Sequence, residues 1–474
     1  MRTNLFRHSL LYICVASLAS CSLNRQEAKP LHLAAAIFPD YTDVTMPINI
    51  APPTFSLADS LMLDQAQAVF TAGSLSVVVG NDGDDGFCID IDDWNALKQG
   101  GTTINVLIQG KKDGEWVEYD SFPIHISSDS IDSHLVYRLI EPGYEVWNEM
   151  GIYQRNLENY DENAIITNRQ TDGGCMNCHS FSQNSSDRML LHLRLDHAGT
   201  YILHDGKMQK LILPEGSPAL TYPAWHPSGK CIAFSSNSTK QMFHTTDRNR
   251  IEVFDYSSDI YVCNVDEQGN VTYLSSPLLT SPSHFETFPA FAPDGKRLYY
   301  CSADSVPIPD EYDKAHYSLC SISFDAEKGT FGDTVDTLYN AHTQGGSISH
   351  PRVSPDGRFL LFTHHNYGNF SIWHREAKLM MIDLTNGNTI DISTLGAYTS
   401  SHSWSSTGRW ISMASRRVNG LYSIPYISHI SPDGKATKPF PVPQSDAAYY
   451  HRQMKSYNLP ELVKGRVVEP ELIP

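Results

Sequence analysis

The chain has 474 residues, too many for one ordinary domain and enough for two or three buried cores. Its 35 Lys and Arg stand against 53 Asp and Glu, a formal net charge of -18 that repels phosphate backbones and argues against nucleic acid as a partner. Aromatics at 11 %, with 24 Tyr, 30 Gly and 27 Pro, suit many short strands joined by tight turns, so the composition points to an all-β fold. The first segment, "MRTNLFRHSLLYICVASLASC", has a basic start (Arg2, Arg7), an apolar run from Leu10 to Leu18 and small residues before Cys21. That is the pattern of an export signal over residues 1–21. No other window holds the roughly 18 consecutive apolar residues that a membrane span needs.

The stretch Leu18-Ala19-Ser20-Cys21 resembles a bacterial lipobox. The resemblance implies cleavage before Cys21, a lipid anchor on its sulfur, and a place in the cell envelope; the alternative is a signal cut elsewhere with Cys21 incidental. Residues 22–27, "SLNRQE", lack an acidic run beside the anchor, which favours an outer-membrane site facing the periplasm. Residues 22–35 read as a short tether. Next come "TMPINIAP", "LSVVVG", "GFCIDI", "TTINVLIQG" and "EWVEYDSFPIHIS", separated by the turn-like "NDGDDG", "KQGG" and "KKDG". These predict an antiparallel β-sandwich of immunoglobulin-like size over 36–130, a spacer or docking module without a catalytic cluster.

The second half repeats itself. "YPAWHPSGKCIAFSS" from Tyr222, "FPAFAPDGKRLYYCS" from Phe288, "HPRVSPDGRFLLFTH" from His350 and "SHSWSSTGRWISMAS" from Ser401 share one plan, and a weaker copy starts at Cys178. Each has a turn ending in glycine (Gly229, Gly295, Gly357, Gly408), a basic residue, then an alternating strand. The turn glycines are 66, 62 and 51 residues apart, so some units carry insertions. Four-stranded sheets stacked radially, a β-propeller, are the expected result. Pro293-Asp294-Gly295-Lys296 and Pro355-Asp356-Gly357-Arg358 resemble the TolB-like repeats of the WD40-like class, with Ser228 and Thr407 replacing the aspartate elsewhere. The resemblance covers roughly residues 178–430 and implies five blades there. A sixth is expected from "HLVYRLI", "MGIYQRNL" and "NAIITNR" at 134–170, closed by the C-terminal "AAYYHRQMKSYN", so the propeller spans 131–474. Asp294 and Asp356 read as turn formers, Trp225 and Trp404 as core aromatics, and Arg416-Arg417 as a solvated turn.

Inside the weak repeat lies "GGCMNCHSF". Cys175, Cys178 and His179 have the C-x-x-C-H spacing at which two thioethers hold one porphyrin edge and the next histidine reaches the iron. A chain of this composition holds roughly 0.007 such strings by chance. A thioredoxin-like pair would need a β-α-β context and a zinc half-site another Cys/His pair, and neither context is present. The motif resembles that of c-type cytochromes, which implies one covalent haem c attached outside the cytoplasm. Aligned with the other repeats, Cys178-His179 falls where Tyr222-Pro223, Phe288-Pro289 and His350-Pro351 stand, a segment that the resemblance to TolB-like propellers implies is the innermost strand of a blade near the channel mouth. That alignment puts the haem at one mouth of the propeller channel. His350 is the first candidate for the sixth iron ligand; His402, His284, His364, His365, His374, Met150 and Met454 are its rivals.

Of the remaining cysteines, Cys88, Cys231, Cys263, Cys301 and Cys320, the last four lie in strand-like runs and are expected as buried thiols. No G-x-S-x-G, H-E-x-x-H or P-loop occurs, so any activity is redox rather than hydrolytic. The expectation is therefore a lipid-anchored monohaem cytochrome acting in electron transfer or haem-based sensing with a redox partner. The rival is an envelope protein- or glycan-binding scaffold with a structural haem.

Overall fold

A computed structural model of the chain describes residues 23–81, 86–141, 148–247 and 249–471, without the side chain of Cys178. The export signal, Cys21 and most of "NDGDDG" lie outside the described residues.

Six four-stranded sheets form the bulk of the molecule. Blades 2 to 6 run in chain order and have as inner strands Met176–Phe181, Thr221–Trp225, His284–Phe291, Ser347–Val353 and Thr399–Trp404. Blade 1 combines His134–Ile140, Gly151–Asn156 and Glu162–Thr167 with the C-terminal Ser456–Val463 as its inner strand. The six inner strands contact one another in a closed ring, with Ser456–Val463 touching both Met176–Phe181 and Thr399–Trp404. Chain ends joined within one blade remove the exposed sheet edge that an open ring would leave. The closing strand overlaps only the end of the predicted "AAYYHRQMKSYN"; Tyr449–Arg452 is a helical turn instead.

Sequence turns do what their residues require. Gly229, Gly295, Gly357 and Gly408 all have φ between 67° and 74°, the left-handed region that glycine enters without penalty. Asp294 and Asp356 each accept the backbone N–H two residues on, at 3.0 and 3.1 Å, so both are turn formers. Trp225 and Trp404 are buried, and each indole donates to the preceding blade, to the carbonyls of Ser180 (3.2 Å) and Arg352 (3.1 Å). Cys231, Cys263, Cys301 and Cys320 are buried and unbridged. Burial pushes the thiols of Cys231 and Cys320 up to about 11.

The N-terminal region differs from the expected sandwich. One mixed sheet, not two packed antiparallel ones, holds Gln65–Ala72, Leu75–Gly80, Thr103–Lys112, Glu115–Asp120 and Phe122–Ser127. Lys29–Ala34 pairs parallel with Glu115–Asp120, and Val44–Pro47 pairs parallel with Phe122–Ser127. "GFCIDI" is not a strand. Its Asp90 caps a helix, Ile91–Gly100, accepting from the Asp92 N–H at 2.8 Å, and Trp94 and Leu97 bury one helix face. The "KKDG" turn is as read: Asp113 and Gly114 both have positive φ between two antiparallel strands, the geometry a two-residue hairpin needs. One unbroken apolar core joins this sheet to blades 1, 5 and 6, so its buried side chains and the propeller's pack as one body. Among the described residues no helix is long and apolar enough to cross a membrane.

Candidate functional site: the bulge ring of the propeller channel

Each inner strand carries a β-bulge at the same level. Two of its residues face one residue of the next strand: Cys178-His179, Tyr222-Pro223, Phe288-Pro289, His350-Pro351, Ser400-Ser401 and Leu459-Pro460. Bulges re-aim side chains, and here all six do so at the channel. The structure thus reproduces the repeat alignment that equated Cys178-His179 with the X-Pro pairs. Tyr222, Phe288, His350 and Leu459 have φ of 46° to 53°, which no β-strand shares.

These residues plug the channel. The Phe288 ring lies 4.4 Å from Tyr222 and 4.2 Å from His350, centroid to centroid. His179, Leu459, Arg352 and Glu461 complete the plug around a cavity of about 20 Å³. On one side the starts of the inner strands, with Asn177, Ser401, Asn458 and the loop residues Phe370 and Ile372, line a mouth of about 110 Å³. On the other side, the strand ends with Phe181, Trp225 and Trp404 line a mouth of about 170 Å³.

His179 is 2 % exposed, and its ring nitrogens make no well-formed hydrogen bond, although the backbone at Leu459 and Val136 lies within reach of them. Its pKa is pushed down to about 4, first by burial and then by the Arg138 guanidinium; the carbonyls of Leu459 and Val136 oppose this weakly. The ring is therefore neutral at physiological pH, the form that ligates metal. His350 is likewise held well below the usual histidine range by burial, Arg352 and His402. Sequence reasoning missed the two charged groups between them. Glu461 is desolvated, which pushes its carboxyl up to about 7 against the pull of Arg352, and it accepts the Phe181 N–H at 3.0 Å.

The other sequence candidates scatter. His402 is buried one blade on and already bonded to the Leu361 carbonyl at 3.3 Å. His284 lies on the rim with Ser281, Ser283 and Asp304. His364 lies in the second strand of blade 5, and its neighbour His365 meets the Tyr367 carbonyl at 2.9 Å. His374 sits between Glu252 and Glu376, whose carboxylates outweigh burial and raise its pKa to about 9. Met150 packs beside the motif, its Sδ 3.4 Å from the Met176 nitrogen, whereas Met454 is exposed. Arg416-Arg417 is not a solvated turn. Arg416 is buried 3.7 Å over the Trp373 ring and donates to the Ile372 carbonyl, and Arg417 donates to Leu395 and Thr399.

For a haem, the donor set and the space give different answers. Cys175, Cys178 and His179 supply the right atoms in order, and a neutral imidazole without a well-formed hydrogen bond suits an iron ligand. Cys175 itself is half-buried against the core between blades 1 and 2. The plug cavity, however, holds about one water by volume, whereas ligands of tens of heavy atoms occupy roughly 300–1,000 Å³. A porphyrin does not fit within the plug as packed.

No protein-family model matches the chain, and no curated protein does. Among solved structures it is similar to TolB from Acinetobacter baumannii, at 13 % identity over 79 % of this chain and 85 % of that one, with a TM-score of 0.45. A putative TolB from Agrobacterium tumefaciens gives 14 % over 67 % and 93 %, TM-score 0.38. Hydrazine synthase from Kuenenia stuttgartiensis gives 11 % over 66 % and 46 %, TM-score 0.40. The likeness is one of fold alone, and the six-bladed assignment stands on the strand pairing.

Proposed function

We propose that this chain is a lipid-anchored envelope propeller that carries a covalent haem c at a mouth of the channel, with the plug around His179 and His350 opened to admit it. Cys175 and Cys178 would be its anchors, His179 its proximal ligand and His350 its candidate sixth ligand. The observation that carries the reading is His179, a buried, uncharged imidazole whose nitrogens make no well-formed hydrogen bond, at the motif position that ligates iron. Leaving a buried polar group poorly satisfied costs up to about 1–3 kcal/mol, so an imidazole without a well-formed bond, at a bulge position that four other blades fill with proline, favours a further partner. Bound there, haem supplies one-electron redox chemistry. The chain's own part is to keep His179 neutral, to present Arg138 at the mouth, and to hold the aromatic plug behind it. A redox partner in the envelope follows from that chemistry.

A second reading, a propeller scaffold for an envelope protein or glycan, is favoured by the tightness of the plug. Intact mass after expression with a c-type maturation system separates the two. The haem reading predicts the mass of one haem added to the mature chain and lost in a Cys175→Ala, Cys178→Ala variant. An unmodified mass under maturing conditions leaves the scaffold.

A further inference from the structure

The segment expected to be a free tether is built into the N-terminal sheet. Besides the Lys29–Ala34 strand, residues 24–26 are held by two buried glutamines, Gln67 (3 % exposed) and Gln109 (0 %). Gln109 accepts the Gln26 N–H at 3.0 Å and donates to the Gln26 carbonyl at 2.8 Å. Gln67 donates to the Asn24 carbonyl at 3.2 Å and to Gln109 at 2.8 Å, and Arg25 pairs with Glu118 at 3.3 Å. Two buried side-chain amides lose partners if this segment lifts, so the pinning is part of the fold.

Leu23, the next residue out, forms one wall of an open groove of about 890 Å³. Leu57, Leu61, Met62, Leu63 and Trp116 supply its apolar lining, and Met62 is 76 % exposed. Cys21 lies two residues from Leu23, a span of at most about 7 Å.

From this geometry we infer that the groove is the membrane-docking face. It rests on the lipid-anchor reading of Cys21: a lipid held in a leaflet and tied that closely to a pinned segment brings the leaflet against Leu23, Leu61, Met62 and Trp116. Exposed Leu23 and Met62, backed by the half-buried Leu57, Leu61, Leu63 and Trp116, give an apolar contact beside the anchor of the kind an interfacial docking uses. Asp59 and Asp64 also line the groove, and with the net charge of -18 they select a zwitterionic head-group layer over an anionic one. The protein thus stands on its N-terminal sheet in a fixed orientation instead of swinging on a leash.

The test is hydrogen exchange read by mass spectrometry on the full mature chain in phosphatidylcholine vesicles, against its Cys21→Ser form in solution. The mass of the N-terminal peptide first establishes whether Cys21 carries lipid; without it, the anchor reading itself fails. With lipid present, amides in 57–67 and 114–118 are expected to exchange at least tenfold more slowly in vesicles, with the propeller unchanged. Met62→Asp should remain vesicle-bound through its lipid and lose that protection. Equal exchange in both forms overturns the docking inference while leaving the anchor. The same protection for lipidated protein without a bilayer also overturns it, because the acyl chain then occupies the groove.

Discussion

Blade 2 and blades 3 to 5 share one backbone device and use it for opposite ends. At the bulge, blades 3, 4 and 5 place a ring on left-handed backbone, followed by proline: Tyr222-Pro223, Phe288-Pro289, His350-Pro351. Proline has no N–H to satisfy outside the ladder, and the rings pack against one another, so those bulges leave little undone. Blade 2 has His179 where those blades have proline, and its ring nitrogens make no well-formed hydrogen bond. The difference teaches that the channel is sealed by packed rings on three blades, while blade 2 brings a metal-competent imidazole into the same plug.

That comparison can be broken in steps. The largest effect is expected from Phe288→Ala, which removes the ring touching both Tyr222 and His350. A fully buried phenylalanine truncated this way costs about 3–5 kcal/mol in chemical denaturation, and a loss below about 1 kcal/mol would mean that the plug is not a packed unit.

Next comes His179→Pro, which gives blade 2 the form of its neighbours. The His179 pKa is lowered to about 4 in the fold against an ordinary 6.5. The unfolded chain therefore takes up the proton first as pH falls, and stability drops between about 6.5 and 4, by about 3 kcal/mol at most. Glu461, raised to about 7, works in the opposite sense: its contribution is present below the ordinary carboxylate range and is lost as pH rises towards 7. Urea midpoints of the haem-free proteins at pH 7 and 4.5 should show the proline variant losing less stability on acidification than the parent. An identical loss would remove His179 from the account of acid sensitivity.

A smaller effect is expected from Trp404→Phe, which keeps an aromatic ring but deletes the donor to the Arg352 carbonyl and part of the buried indole volume, costing about 1–2 kcal/mol. Trp225→Phe should match it, because the indole makes the same bond to the blade before. The smallest is Asp294→Ala, an exposed turn acceptor worth about 0.5–1 kcal/mol. Both sets can be read from thermal midpoints of the unmatured protein.

What was legible in the sequence was what repeats locally. The turn glycines and the strands after them gave five blades, and "HLVYRLI" to "NAIITNR" gave the outer strands of the sixth. The closing strand was also within reach: Leu459-Pro460 repeats the X-Pro of the other inner strands, but the Gly465-Arg466 after it comes one residue early and no strand follows among the described residues. The N-terminal sheet is harder to read because "GFCIDI" is apolar enough for a strand, while the Asp90 cap and the Trp94 and Leu97 spacing mark a helix. Its parallel pairs join strands far apart in the chain and leave no local pattern. At the site, the motif and its blade position were readable. Arg352 and Glu461 were not, since only the ring closure brings them together, and nothing in the repeat pattern shows that the rings at Tyr222, Phe288 and His350 fill the channel.

The measurement that bears most directly on the open bulge is the reduced pyridine haemochrome spectrum of the matured protein, taken beside His179→Pro and the Cys175→Ala, Cys178→Ala variant. The account predicts a thioether-type band in the parent, its loss in the double-cysteine variant, and an altered iron spectrum of the native protein in His179→Pro. A parent without covalent haem, or an iron spectrum that His179→Pro leaves unchanged, would contradict it.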